Sequence, residues 1–556
     1  MNTENLEKNI VLEGLSIFKS AKNKEGIFDK QYWLGKMMEW VMKDPSFKVD
    51  MFRFVDVLPT LVTDEQVAKH IREYLLKNDR DIPFLMSTAL KAASFSLGKS
   101  IASSAIRKNV KEMAMRFIAG QDLEDATPVL KKLHEQGYSF TIDILGEKTL
   151  SEKEADLYLD RYLYLIKTLP SVIKLPPGSH NVSIKLSALS AQLREEAPES
   201  SVADAMRRVL PLLRKAKECG VFINFDVETF ASNEIIYELF SKVALSDEFK
   251  SWPHLGIVVQ GYLRESKNHV EQLIKLCRMR KSPITIRLVK GAYWDYEVVK
   301  AKSHGHEIPV FLNKAQTDQN YEMLCRLLLD NKDVLRPAFA SHNIRSLSQA
   351  IVYAQSRGIS KNDYEIQMLY GMSQGEGKVL LDRGHQVRIY VPVGDMIPGM
   401  SYLVRRLLEN TSQMGFLRLS QHEQKDQESL LKSPIVAPMP EEPLRSGFVN
   451  ISTLDFTYKS VRDELSNKIL KTKDSFPQKV PVVISSARQS CEKTLKKFSP
   501  NDASLISTID LAQKSHAEKS VAACVQAFPS LRNLDLSTRI EHLLKLADLL
   551  EKDRIQ

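Results

Sequence analysis

Two stretches of this chain bring together residue types that can hold a charged or flat ligand. The first, Ile286–Glu297, reads IRLVKGAYWDYE. Arg287 and Lys290 supply positive charge suited to a phosphate or an electron-rich ring. Gly291 permits close backbone approach, and Tyr293 and Trp294 offer flat apolar surfaces. Packed into a core, the same aromatics would only fill space. The second stretch, Ser401–Asn410, reads SYLVRRLLEN. On a helix Tyr402, Arg405, Arg406 and Glu409 fall at i, i+3, i+4 and i+7 and share one face. Two adjacent guanidiniums on such a face can grip a small carboxylate. The commoner meaning of that spacing is a solvated stripe, so the surrounding elements must decide.

Those elements alternate. From Tyr138 onward, short β-branched or aromatic runs alternate with helix-period stretches. The expected strands are Tyr138–Asp143, Asn181–Leu186, Val221–Asp226, Gly256–Tyr262, Ile284–Val289, Arg336–Ser341, Tyr364–Met368 and Val387–Val391. Each precedes a helical candidate, which predicts a closed (β/α)₈ barrel of the TIM type, with a doubly wound open sheet as the competing arrangement. Polar groups collect at the carboxyl ends of successive strands: Lys185, Asp226, Gln260, Arg287 with Lys290, Ser341-His342-Asn343, and Tyr390. A lone Lys or Asp there reads as a structural ion pair. Six strands sharing the feature read as an active face.

Bulk properties fit an enzyme of more than one domain. The chain has 556 residues, 43% hydrophobic and 26% charged, which suits a soluble globular protein with a sizeable core. The net charge of +9 comes from lysines scattered along the chain, so no nucleic-acid partner is expected. Cys219, Cys277, Cys325, Cys491 and Cys524 show no metal-ligand or redox spacing, which fits a reducing compartment and no metal. No apolar stretch is long enough to span a bilayer and the N-terminus resembles no leader, so a cytoplasmic protein is expected.

With these motifs in register, the chain resembles the proline dehydrogenase family. IRLVKGAYWDYE, YLVRRLLEN, ASHN at 340–343 and VSIKLSAL at 182–189 carry the resemblance. INFD at 223–226, VVQGY at 258–262 and YEIQMLYGM at 364–372 follow the same order. It covers roughly Glu112 to Leu419, and the whole is similar to the front half of the bacterial proline utilisation A (PutA) proteins. The resemblance implies FAD at the carboxyl end of the barrel. It also implies oxidation of L-proline to Δ1-pyrroline-5-carboxylate, the first step of proline catabolism to glutamate, with electrons passed to a membrane quinone. Carried over motif by motif, Lys185, Arg405 and Arg406 would bind the proline carboxylate, and Leu369, Tyr390 and Tyr402 would surround the ring, with Tyr293 and Asp226 nearby. Phe225, Gln260, Arg287, Val289, Lys290, Gly291, Ala292, Trp294, Ser341, His342 and Glu409 would contact or position the flavin. Lys185, Asp226, Arg287, Tyr293 and Tyr390 are the expected catalytic set, Arg287 favouring the anionic reduced flavin. Ser341 stands where the family usually has threonine, and keeps the hydroxyl. No general base is identifiable.

The expected organisation is a helical arm and α domain over 1–130, the barrel over 131–420, a polar, turn-rich linker over 421–496, and the opening of an aldehyde dehydrogenase over 497–556. The sequence stops at Gln556 without a nucleophile-like cysteine or Gly-rich nucleotide turn in that last part. A truncated second enzyme without the NAD-dependent glutamate semialdehyde dehydrogenase activity is therefore expected. The resemblance leaves room for peripheral contact with the inner membrane and for a homo-oligomer. The reading from a different class is a non-catalytic barrel that binds anions or membrane headgroups.

Overall fold

The computed structural model describes residues 3–22, scattered positions between 50 and 75, residues 117–395 except 147, and residues 427–435 and 450–554. By internal contacts the chain forms two units, residues 1–303 with 307–443, and residues 304–306 with 444–556.

The first unit holds a closed barrel of eight parallel strands, ordered β1 to β8 around the ring. The strands are β1 (Ser139–Ile144), β2 (Asn181–Ile184), β3 (Phe222–Phe225), β4 (Leu255–Gln260), β5 (Ile284–Val289), β6 (Leu335–Ala340), β7 (Glu365–Leu369) and β8 (Gln386–Val393). All eight predicted strands are present, with ends shifted by a residue or two where a turn or cap takes over. The ring closes by parallel pairing of β1 with β8, Phe140 opposite Ile389 and Ile142 opposite Val391.

The strands alternate instead of running apolar throughout. In β5, Ile284, Ile286 and Leu288 are fully buried and belong to the shared apolar core, whereas Arg287 reaches Ser183 on β2 and Asp226 beyond β3. Strands β2 and β5 are not neighbours, so that contact crosses the lumen. Side chains of odd and even positions must point to opposite faces of a strand, so the apolar set faces the helices and the polar set fills the barrel. Many barrels of this type fill their interior with branched aliphatics. Here Ser183, Asn224, Arg287, Glu365, Gln367, Arg388 and Tyr390 contribute a polar interior.

The enclosing helices are α1 (Thr3–Lys22), α2 (Leu123–Glu135), α3 (Glu152–Val172), α4 (Pro198–Cys219), α5 (Phe230–Leu245), α6 (Ser266–Met279), α7 (Trp294–His304), α8 (Lys314–Leu329), α9 (Ile344–Ser356) and α10 (Gln374–Asp382). Local chemistry sets their ends. Asp122 caps α2 by accepting the Asp125 N–H, and Asn343 caps α9 by accepting the Ser346 N–H. Gly220, at φ +67°, ends α4 in the left-handed region and turns the chain into β3.

The arm α1 buries Ile10, Ile17 and Phe18. Its acidic face meets two arginines of the barrel helices. Arg383 reaches Glu13 at 2.8 Å, and Arg345 forks onto Glu7 at 2.6 and 2.9 Å. Arg345 also binds Glu322 of α8 at 3.0 and 3.2 Å and the Leu431 carbonyl at 2.9 Å. The run expected to be helical from Asp64 to Lys77 is α-helical over Asp64–His70 and continues as a π-helical turn, Ile71–Leu75. The run expected over Ile101–Ile118 lies almost wholly outside the described residues.

The second unit contains a three-stranded sheet of Gln478–Val480, Thr494–Phe498 and Leu505–Asp510, with the last strand central. The tail expected to be helical over Leu511–Lys552 forms two helices, Lys514–Asn533 and Leu536–Lys552, interrupted where Asp535 caps the second. No described helix is long and apolar enough to cross a membrane.

Candidate active site

At the carboxyl end of the barrel three carboxylates and two cations gather in one buried network. Lys185 follows β2 directly, because the strand ends at Ile184 and the backbone turns into the short helix Leu186–Leu189. Its ammonium pairs with Asp143 of β1, which is 2% exposed. Burial alone would depress the Lys185 ammonium; Asp143, with Tyr162, Asp226 and Glu228 around it, holds it above its ordinary value. An ammonium has three donors, so the pair with Asp143 leaves donors for a ligand carboxylate.

Asp226, one residue past β3, ties the opposite side together. Its Oδ1 accepts from Arg287 Nη1 at 2.8 Å and from Asn224 Nδ2 at 3.1 Å, and its Oδ2 accepts from Tyr390 Oη at 2.8 Å. Arg287 lies 5.2 Å from the Tyr390 ring centre, and its Nη1 also donates to Ser183 Oγ at 3.1 Å. Its Nε and Nη2 are buried and have no hydrogen-bond partner among the described residues. Buried donors in that state are uncommon and point to a ligand.

The third carboxylate, Glu228, lies three residues past β3 and accepts from the Ser187 hydroxyl. Burial pushes its carboxyl up, against the pull of Lys185 and Ser187. The Gln260 side chain donates to the Val227 and Glu228 carbonyls at 3.2 and 2.8 Å, and its buried Oε1 lacks a partner among the described residues.

The loop after β5 forms the adjoining wall. Gly291 has φ +125°, and a Cβ there would lie 2.5 Å from the Tyr262 ring, so only glycine fits. Ala292 and Tyr293 line a cavity of about 460 Å³ together with Thr229, Asp295 and Tyr296. Across the mouth, the Leu369 N–H at the end of β7 donates to His342 Nε2 at 3.1 Å, and Ser341 Oγ accepts the Asn343 N–H at 3.1 Å.

The structure thus brings Lys185, Asp226, Arg287 and Tyr390 into one network, places Gln260, Gly291, Ala292 and Tyr293 beside it, and joins His342 to Leu369. Several residues expected to contact or position the flavin are held by partners within the protein. The Phe225 ring is fully buried against Phe240 of α5 at 5.2 Å, because strand alternation sends it to the helix side. Lys290 pairs with Asp318 of α8, which also takes Lys314 at 2.9 Å, so its ammonium is turned to that carboxylate. Trp294 is 38% exposed and donates to the Phe311 carbonyl at 2.8 Å. Val289, the last residue of β5, is half-buried against the core. Tyr402, Arg405, Arg406 and Glu409 lie outside the described residues. Asp143 and Glu228 were not among the sequence candidates. Asp143 carried a usable signal, a carboxylate near the end of the one barrel strand left without a candidate.

Comparison with known proteins agrees with this architecture. The proline dehydrogenase family model matches residues 126–419, the proline utilization A N-terminal domain model residues 7–117, and the aldehyde dehydrogenase family model residues 487–556. The bifunctional protein PutA of Escherichia coli is 33% identical over 64% of this chain, which spans 28% of that protein. The proline dehydrogenase of Deinococcus radiodurans is 30% identical over 56% of this chain and 90% of its own length. A crystal structure of proline utilization A from Bdellovibrio bacteriovorus, inactivated by N-propargylglycine, superposes with a TM-score of 0.90 at 36% identity. That match covers 100% of this chain and 57% of the other. The chain spans less than a third of the length of the PutA proteins of Klebsiella aerogenes (31%) and E. coli (28%). A barrel with this polar mouth, matched over its full extent, belongs to the proline dehydrogenase family.

Proposed function

We propose that the chain is a flavin-dependent proline dehydrogenase that oxidises L-proline to Δ1-pyrroline-5-carboxylate and passes electrons to a quinone. The observation that carries this reading is the Arg287 guanidinium, buried under the barrel mouth with two N–H-bearing nitrogens, Nε and Nη2, unpartnered among the described residues. The residues present suit FAD. Arg287 offers donors, Gln260 Oε1 an acceptor, and the Gly291–Tyr293 turn a close backbone approach beside an aromatic wall. When bound, FAD supplies a two-electron acceptor for hydride.

The chain's own residues then have separable tasks. Lys185, held charged by Asp143, receives the substrate carboxylate. By motif, Arg405 and Arg406 share that carboxylate, and Tyr402 and Leu369 enclose the ring. Asp226 fixes the orientation of Arg287 and Tyr390 at once, so neither must reorganise as charge moves. Arg287 contributes the positive charge that favours electron uptake by the cofactor. Ser341, His342, Ala292, Trp294 and Glu409 are proposed to support it, while Phe225, Val289 and Lys290 act by holding the strands and loop in place.

A plain anion- or headgroup-binding barrel is disfavoured, because three carboxylates, Asp143, Asp226 and Glu228, stand around Lys185 and Arg287 and repel an anion that carries no ammonium of its own. The test is an absorbance scan before and after anaerobic L-proline. Purified protein should be yellow, and proline should bleach the flavin band. Protein that takes up no FAD, or a band that proline leaves unchanged, refutes the proposal.

A further inference from the structure

Resting on the reading above, we propose that Glu228 takes up the proton that the substrate's ring ammonium must lose before it can be oxidised. The chemistry requires such a group. A secondary ammonium has a pKa near that of lysine, roughly 10, so the substrate arrives protonated at neutral pH. Only the neutral amine has the lone pair that becomes the C=N bond as the adjacent ring C–H leaves as hydride. The balanced steps are transfer of the N–H proton to the Glu228 carboxylate, then departure of hydride to the flavin-class acceptor, giving a protonated imine.

The geometry singles out Glu228. Three carboxylates surround Lys185, and two of them are committed. Asp143 is in contact with Lys185 itself. Asp226 gives one oxygen to Arg287 and the other to Tyr390. Glu228 touches a neutral hydroxyl, Ser187, and no cation among the described residues. The groups facing it are Lys185 and Ser187 from the β2 end, Asp143 from β1 and Asp226 from its own loop. Glu228 is also the most accessible of the three, being half-buried where Asp143 and Asp226 are buried. The next residue, Thr229, lines the cavity shared with Tyr293. The other buried acid nearby, Glu297, is committed to the Phe230 N–H at 2.8 Å and caps α5. Burial raises the Glu228 carboxyl above its ordinary range, the direction that favours a proton acceptor.

The experiment compares wild type, Glu228→Gln and Ser187→Ala as flavin-loaded proteins. Anaerobic bleaching by limiting proline is followed across pH, and affinity is measured for tetrahydrofuran-2-carboxylate, the ether isostere with no N–H. Wild type should lose rate as pH falls through the Glu228 pKa. Glu228→Gln should be slower at pH 7 by about 10²-fold and regain rate steadily toward alkaline pH, where free amine is supplied by solvent. Its affinity for the ether should stay within about threefold of wild type or tighten. Ser187→Ala, which removes a hydrogen bond to the ionised carboxylate, should move the acidic limb upward, and tests the idea even if Glu228→Gln fails to fold. An unchanged pH profile in Glu228→Gln, an equal loss of ether and proline binding, or an unmoved limb in Ser187→Ala overturns the inference. If wild type itself is not bleached by proline, the broader functional reading fails instead.

Discussion

Removing both partners of the Asp226–Arg287 pair should cost clearly less than the sum of removing each alone. The two side chains are 11% and 4% exposed and meet at 2.8 Å, and among the described residues Ser183 is the only other hydrogen-bond partner of Arg287. At an effective dielectric of about 20, unit charges about 4 Å apart interact by about 4 kcal/mol. Losing one partner leaves the other charge buried and unpaired, which typically costs about 3–5 kcal/mol. Asp226→Asn and Arg287→Met should therefore each destabilise the barrel by that amount. With a urea slope of about 3 kcal/mol/M, the midpoint falls by about 1–1.7 M. The double variant leaves no orphaned charge, so its cost should fall short of the sum by about 2–3 kcal/mol. Tryptophan fluorescence is a suitable probe, because Trp252 and Trp294 belong to the barrel-containing unit and residues 444–556 contain no tryptophan. Strict additivity of the two single changes would show that the pair is solvated or independent, and would remove the basis for treating Asp226 as the anchor of Arg287.

Other consequences can be measured alongside. Arg345→Met strands Glu322, whose side chain is 7% exposed, and frees Glu7, so a loss of about 3–5 kcal/mol is expected. Hydrogen exchange over residues 3–22 should rise with it, and an unchanged exchange rate there would contradict the clamp. His269 is half-buried and stacks on Tyr237, and desolvation lowers its pKa to about 4. The unfolded chain then binds the proton first, so stability should fall as pH drops from about 6.5 to about 4 and level off below. His269→Gln should flatten that part of the urea-midpoint profile; an identical slope would refute the assignment.

Much of this protein was legible in order of residues alone. Eight β-branched runs, each followed by a helical stretch, dictate the barrel, because parallel strands joined by helices have few closed arrangements. The strand-end positions of Lys185, Asp226, Arg287 and Tyr390 were legible too, since loops after barrel strands must share one face. Sequence by itself did not determine which cations remain available to a ligand. Lys290 and Arg287 look alike three residues apart, yet Lys290 meets Asp318 on α8 while Arg287 crosses the lumen and keeps two nitrogens unpartnered among the described residues. Nor did it show that Asp143, 42 residues before Lys185, is that lysine's counter-ion. Such choices depend on side-chain direction and on charges far apart in the chain, which only the closed barrel brings within a few ångströms. Periodicity is a local property, written along the backbone; pairing across a lumen is a property of the folded whole.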